Sequence, residues 1–422
     1  MKKYVLVGTG HRGTMAYLVP LTKHFQDCVK ICGLYDINKK RAENANLKTA
    51  YPIEVFDDFD EMIKTVKPDT VIVTTIDAKH SDYIIRALEL GCDVISEKPI
   101  TTDGEKMNAI YAAEKKSGKK VQVTFNCRFM PNFMRVKELM LSGVIGTPYS
   151  AHYEWLLDTV HGADYFRRWH SQRKNSGSLL IHKSTHHFDL LNWFIDDEPV
   201  KVNAFGTRRF YGSEARKDHG ERCTGCKYAD SCEYYLDLKS DPHNQSIYVD
   251  CEDVDGYYRD KCIYSEDVDI EDTVCLNIKY KKGVVATYSL TAHSPYEGMR
   301  LAINGSEGRI VLETRAASGP YAGLASANIV IYNRLGEIVE IVPTGQNETL
   351  RKLPRFARNI GGGHGGSDML LLDMLCRSID DDPMNLLADS YAGAMSIGIG
   401  AAANISMAED RAVNIKEIFD FI

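Results

Sequence analysis

The chain has 422 residues, 44% hydrophobic and 26% charged, with a formal net charge of −7. That length exceeds one ordinary core and predicts two domains with elaborations, and the acidic balance, with no Lys/Arg-rich arm, excludes nucleic acid as an expected partner. No stretch reaches the ~18 apolar residues of a membrane span, and the first apolar run is too short for a signal-peptide core, so a cytoplasmic location is expected; eleven cysteines, an odd number, argue there against a disulfide framework.

Residues 1–125 alternate short apolar runs with amphipathic stretches. YVLVG (4–8), VKICGLYD (29–36), TVIVTTI (70–76), CDVISEKP (92–99) and KVQVTF (120–125) read as strands buried on both faces. Runs of that kind predict a doubly wound parallel sheet, an α/β Rossmann domain. VGTGHRG follows the first strand and puts Gly8, Gly10 and Gly13 in G-x-G-x-x-G spacing around Thr9, His11 and Arg12. The backbone must turn tightly at Gly8, admit a pyrophosphate at Gly10, and let helix and strand pack at Gly13. The next strand ends at Asp36, where a carboxylate bonds a ribose 2′-hydroxyl and repels a 2′-phosphate; NAD is therefore expected over NADP, although Lys39, Lys40 and Arg41 follow closely.

TTIDAKHSD (74–82) lies at the ligand-binding edge of that sheet, with Thr75 and His80 as cofactor-side candidates; a polar loop with helix-capping groups is the competing reading. SEKPI ends another strand and brings Lys98 to the nicotinamide end of the crevice, where Glu97 can hold its ammonium and Pro99 keeps the chain extended.

From 126 to 422 the pattern predicts an α+β domain with a mostly antiparallel sheet. Helices are expected over 131–142, 178–195, 367–379 and 388–408, and strands over 148–158, 200–210, 274–281, 284–292, 299–304, 308–313, 328–333 and 337–342, with hairpin signals YKKG and NRLG. HGADYFRRWH (161–170) mixes rings, cations and acceptors, which suits carbohydrate binding, with His161 as a substrate contact and Arg168 and Trp169 as cofactor or substrate contacts, or a solvated turn. IHKSTHHFD (181–189) places His182, His186 and Asp189 on one helical face, with Lys183 and His187 on the adjacent one. Such a block can supply acid/base groups, bind a metal, or simply be packed.

An insert over about 212–265 carries Cys223, Cys226, Cys232 and Cys262, whose C-x2-C-x5-C spacing with a distant fourth thiol predicts a structural zinc site; an iron–sulfur cluster or unligated thiols are the alternatives. GGGHGGSD (361–368) surrounds His364 with glycines that let backbone approach a ligand.

VGTGHRG, EKPI, TFNCRFMP, the H-x-x-D helix and the C-terminal AEDRAVNIK together resemble the Gfo/Idh/MocA family of glucose–fructose oxidoreductases and inositol dehydrogenases. The resemblance implies a Rossmann domain followed by a large open-faced sheet, a nicotinamide cofactor, oxidation of a sugar, polyol or related hydroxyl, and a homodimer or homotetramer. It implies that Lys98 polarises the reacting oxygen, that His186 is the base, that His182 or Lys183 orients substrate, and that Asn126 and Arg128 stand beside the cofactor. His161, Arg168, Trp169, His187 and His364 become its expected substrate contacts. Relatives often carry D-x-G-x-H, whereas here His182 stands in the aspartate's place. GHGGSD resembles the family's NAD-dependent glycosidases and supports a redox-neutral glycosidase as the alternative. A non-catalytic dinucleotide sensor is a third reading, one that would not need Lys98 and His186 together.

Overall fold

A computed structural model of the chain describes residues 1–315, 326–343, 366–377 and 381–422. Its first sheet contains β1 (Lys2–Val7), β2 (Val29–Tyr35), β3 (Val55–Phe56), β4 (Thr70–Val73), β5 (Asp93–Ser96) and β6 (Val121–Val123), all parallel, in the order β6-β5-β4-β1-β2-β3. Strand order reverses between β1 and β4, so the crevice outside their carboxyl ends is the expected ligand position. Val5, Leu6, Val7, Val71, Ile72 and Val73 are all 0% exposed, the physical reason these strands lack alternation. The two-residue β3 is too short to leave a pattern in the sequence.

The second sheet has nine strands. β7 (Pro148–Asp158) runs parallel to β10 (Val285–Ser294), and β8 (Pro199–Thr207), β9 (Thr273–Tyr280), β11 (Gly298–Gly305), β12 (Gly308–Arg315), β13 (Ser326–Asn333) and β14 (Ile338–Pro343) extend it antiparallel. YKKG and NRLG are the β9–β10 and β13–β14 turns, with Gly283 and Gly336 at positive φ. Residues of β10 alternate buried with exposed, so one face meets helices and the other is open. The fold is thus a Rossmann domain followed by an α/β domain with a large, mostly antiparallel sheet, as the sequence predicts.

Two details depart from expectation. The helix expected over 178–195 is broken into Leu179–His182 and Thr185–Ile195, preceded by Ser178 at φ +122° whose hydroxyl bonds Asn404. The C-terminal segment also rejoins the first domain, because β15 (Ala388–Asp389) pairs antiparallel with β6 before the helix Ser390–Glu409 crosses behind both parts of the broken helix. A last strand, β16 (Val413–Asn414), then closes the edge beside β8.

The zinc expectation is not supported. All eleven cysteines are free, and among the described residues no group of three or more His, Cys, Asp or Glu side chains could hold a metal ion. Burial raises the Cys223 and Cys262 thiols above their ordinary range, and Cys223 Sγ already accepts from Arg167 and from the Leu236 backbone. The insert is held instead by buried Tyr211, Ile247, Cys251 and Ile263, and by Arg222 paired with Glu252 and Asp260.

Candidate active site

The glycine loop has the close geometry that a dinucleotide requires. Gly8 sits at φ +89°, where a Cβ would lie 2.7 Å from the Thr74 backbone, and a Cβ at Gly13 would lie 2.1 Å from the Gly8 carbonyl oxygen. A Cβ at Gly10, by contrast, would meet only the Tyr248 hydroxyl, at 3.6 Å. Asp36 Oδ2 accepts from the Thr9 backbone (2.7 Å) and hydroxyl (2.9 Å), while Oδ1 accepts from Asn38 N (2.9 Å) and Arg41 (3.3 Å). These residues fit a nicotinamide dinucleotide.

Other expected cofactor residues prove to be tied to one another. Arg12 pairs with Glu97 at 2.6 Å and grips Asp368 through two 2.8 Å bonds. Glu97 also accepts from Tyr17 at 2.6 Å and from the Lys98 backbone, so it does not hold the Lys98 ammonium as expected. Asn126 donates to Asp368 at 2.7 Å, and Arg128 makes a two-bond pair with Asp189 at 2.8 and 2.6 Å. His80 is 1% exposed, with its ring nitrogens against the Pro99 and Thr75 carbonyls, and so braces the loop between β4 and the Lys98 turn. Thr75 is half-buried beside it.

Lys98 follows β5, and its ammonium donates to the His182 carbonyl at 3.1 Å. Nδ1 of His182 lies 2.6 Å from Oδ2 of Asp77, a residue 2% exposed at the start of the helix Asp77–Glu89. A carboxylate of the other domain therefore meets the imidazole that stands at the D-x-G-x-H aspartate position. Burial raises Asp77 well above the usual carboxylate range, with Lys98 opposing it, and burial followed by the Lys98 charge lowers His182 well below the ordinary imidazole value. Burial also lowers Lys98, against the pull of Asp77 and Glu97.

Rings wall this group. His170 lies 4.1 Å from His182 and 3.7 Å from Trp169 between ring centroids, and Tyr165 stands 5.5 Å from His182. His161 reaches Tyr165 Oη and Glu297, each at 3.1 Å. Lys183 lies 5.1 Å over the Trp155 ring and, although burial opposes it, is held above its ordinary value by Tyr165 and Glu297. His186 opens the helix Thr185–Ile195, 6% exposed with its ring edge toward Phe125. The structure thus gathers Lys98, His182, Lys183, His161 and Trp169, while Arg168 turns to Asp164 at 2.9 Å.

His187 departs from the substrate role expected of it. It is 1% exposed, stacked on Trp155 at 4.1 Å and bonded to the Tyr288 hydroxyl at 2.7 Å. His364 lies outside the described residues. A metal shared by His182, His186 and Asp189 is not supported either, since Asp77 and Arg128 occupy the outer two. Sequence reasoning assigned no role to Asp77 or Glu297; Asp77 lay within the stretch TTIDAKHSD at the carboxyl edge of the sheet, Tyr165 and His170 lay within HGADYFRRWH with its mix of rings and cations, and Glu297 carried no signal.

Comparison with known proteins decides the lineage. A family model described as an oxidoreductase family NAD-binding Rossmann fold matches residues 2–125, and its companion, the C-terminal alpha/beta domain, matches 137–415. The chain belongs to the Gfo/Idh/MocA family. It is a nicotinamide-dinucleotide oxidoreductase acting on CH–OH groups. It is 36% identical to the putative oxidoreductase YteT of Bacillus subtilis (strain 168), over 99% of both chains. An inositol 2-dehydrogenase/D-chiro-inositol 3-dehydrogenase of Lactiplantibacillus plantarum is 24% identical over 49% of this chain and 56% of that protein. Among solved structures, levoglucosan dehydrogenase in complex with NADH and levoglucosan superposes with a TM-score of 0.64 at 19% identity, covering 98% of this chain and 99% of that one. At that identity the likeness is one of fold. No described helix is long and apolar enough to cross a membrane.

Proposed function

We propose that this Gfo/Idh/MocA protein is an NAD-dependent dehydrogenase that removes hydride from a hydroxyl-bearing carbon of a sugar, polyol or glycoside. The observation that carries the reading is the Lys98 ammonium on the His182 carbonyl, with His182 held by Asp77, at the carboxyl edge of the Rossmann sheet. Inositol dehydrogenases among the relatives support the substrate class.

When bound, the nicotinamide ring accepts the hydride. The chain's own task is the hydroxyl proton and the charge it leaves. Loss of hydride from a carbinol carbon requires that proton to leave, so a base must touch the oxygen while a cation stabilises the developing alkoxide. Lys98 is the cation, since its ammonium already has a fixed acceptor on one side and can turn a second N–H toward substrate. His186 is the base. His182 and Lys183 orient the substrate, and Trp169 with His161 covers and reads the sugar.

Asp36 supports NAD over NADP. Arg41, the guanidinium nearest the ribose carboxylate, is neutralised by Asp36 at 3.3 Å and Asp255 at 2.7 Å, which leaves little positive field for a 2′-phosphate. The open face of the second sheet, with Phe205 60% and Val285 53% exposed, supports a homo-oligomer joined through it.

Incubation of the protein with a panel of sugars, polyols and chromogenic glycosides in the presence of NAD tests the assignment. NADH formation that disappears in Lys98→Ala and His186→Ala is expected. Aglycone release without net NADH would assign the redox-neutral glycosidase instead, and near-normal turnover of either variant would remove that residue from the mechanism.

A further inference from the structure

The cysteine-bearing insert does not stand away from the Rossmann domain; it lies on the glycine loop. The hydroxyl of Tyr248 accepts the backbone N–H of His11 at 2.9 Å, within the motif whose amides receive a pyrophosphate. Around this contact the insert is bolted to the helix Lys39–Asn46. Asn38 donates to the Cys251 carbonyl (2.9 Å), Arg41 to the Ile247 carbonyl (3.1 Å) and Asn44 to the Ser246 carbonyl (2.7 Å).

The same wall is cationic. Arg259 from the insert and Arg168 share one carboxylate, Asp164, at 2.8 and 2.9 Å. Although burial alone would raise it, Asp164 is held well below the usual carboxylate range by these two neighbours. Arg259 stands beside the loop contact, its guanidinium 5.4 Å over the Tyr248 ring, and the His11 imidazole falls to about 4 through desolvation, His243, Arg168 and Arg259 in that order, with Asp241 opposing. The Nε of Arg259 is buried and finds no hydrogen-bond partner among the described residues, while the Arg168 side chain meets the Tyr257 hydroxyl as well as Asp164. Two guanidiniums on one carboxylate, with a buried Nε donor, beside a hydroxyl and a glycine without a Cβ are what an anionic ligand needs.

We propose that the insert forms the second half of the cofactor's phosphate site, Tyr248 and Arg259 with Arg168 closing on the dinucleotide pyrophosphate from the side opposite the glycine loop. The Tyr248 hydroxyl accepts from His11 and still has its own proton to give to a phosphate oxygen. The inference rests on the nicotinamide-dinucleotide reading of the Rossmann domain and assigns to that site a second wall from a segment 237 residues further along the chain.

Titration of the full-length protein with NAD, NADH and ADP-ribose, followed by calorimetry, tests it. Arg259→Ala is expected to raise Kd by about tenfold or more and Tyr248→Phe by several-fold, equally for all three ligands because each carries the pyrophosphate, with Arg259→Lys intermediate. Tyr248→Phe keeps the packing of the ring and carries the test if Arg259→Ala fails to fold. Values within about twofold of wild type for both variants overturn the proposal, as does tighter binding by Tyr248→Phe, or a loss seen with NAD and absent with ADP-ribose. Failure of the wild-type chain to bind any of the three would overturn the cofactor reading and this inference with it.

Discussion

Two sides of the segment 181–189 use the same residue types for opposite ends. On one side His182 faces Asp77 and Lys98, groups from the other domain, across the cleft that ring side chains wall off. On the other, one turn along, His187 is sealed between Trp155 and the Tyr288 hydroxyl, and Asp189 is locked to Arg128. The difference teaches that a histidine or carboxylate is assigned by what it meets: charged groups of a second domain make a site, and a ring hydroxyl or a guanidinium inside one domain makes a core.

That contrast can be broken by substitution on either side. Lys98→Ala should lower kcat by about three orders of magnitude with an identified substrate while the melting temperature stays near that of wild type. Arg128→Ala should do the reverse, costing about 3–5 kcal/mol in denaturant unfolding because Asp189 is left buried and unpaired, with activity per folded molecule largely kept. Asp77→Asn keeps the shape but removes the carboxylate from His182, and about a hundredfold loss of kcat with a displaced pH profile is expected; an unchanged profile would place the pair on the packing side.

His187 gives the smallest effect and the sharpest contrast. Burial lowers its imidazole well below 6.5 in the folded chain, so the unfolded chain takes up the proton first. Stability is therefore fully present above about pH 6.5 and falls beneath it by about 1.4 kcal/mol per pH unit for each such histidine. The unfolding free energy of His187→Asn, measured from pH 6.5 to 5, should slope less steeply than wild type by about one proton.

Much of the fold was legible because local rules and tertiary structure agree. Unbroken apolar strands, G-x-G-x-x-G, the acid at Asp36 and the YKKG and NRLG turns each have a short-range physical cause. The site was only half legible. Lys98 and the histidine block announce themselves, but the partner of His182 is 105 residues away and nothing local in Asp77 reveals where its carboxylate points. The insert misled for the same reason: its thiol spacing suggested a metal, whereas its attachment is made by Tyr248, Cys251 and Asp255 to residues more than 200 positions earlier.

The helix Ser390–Glu409 sets how the two halves of the site meet. A Cβ at Gly400 would lie 2.6 Å from the Leu180 carbonyl oxygen, two residues before His182, while Thr185 and Ser396 bond through their hydroxyls at 2.8 Å and β15 anchors the helix's start to the Rossmann sheet. For anyone redirecting this scaffold toward a new substrate, that helix is the mounting rail: if His161, Tyr165 and Trp169 wall the substrate as proposed they can be recut, but a methyl added at Gly400 would press on the Leu180 carbonyl two residues before His182.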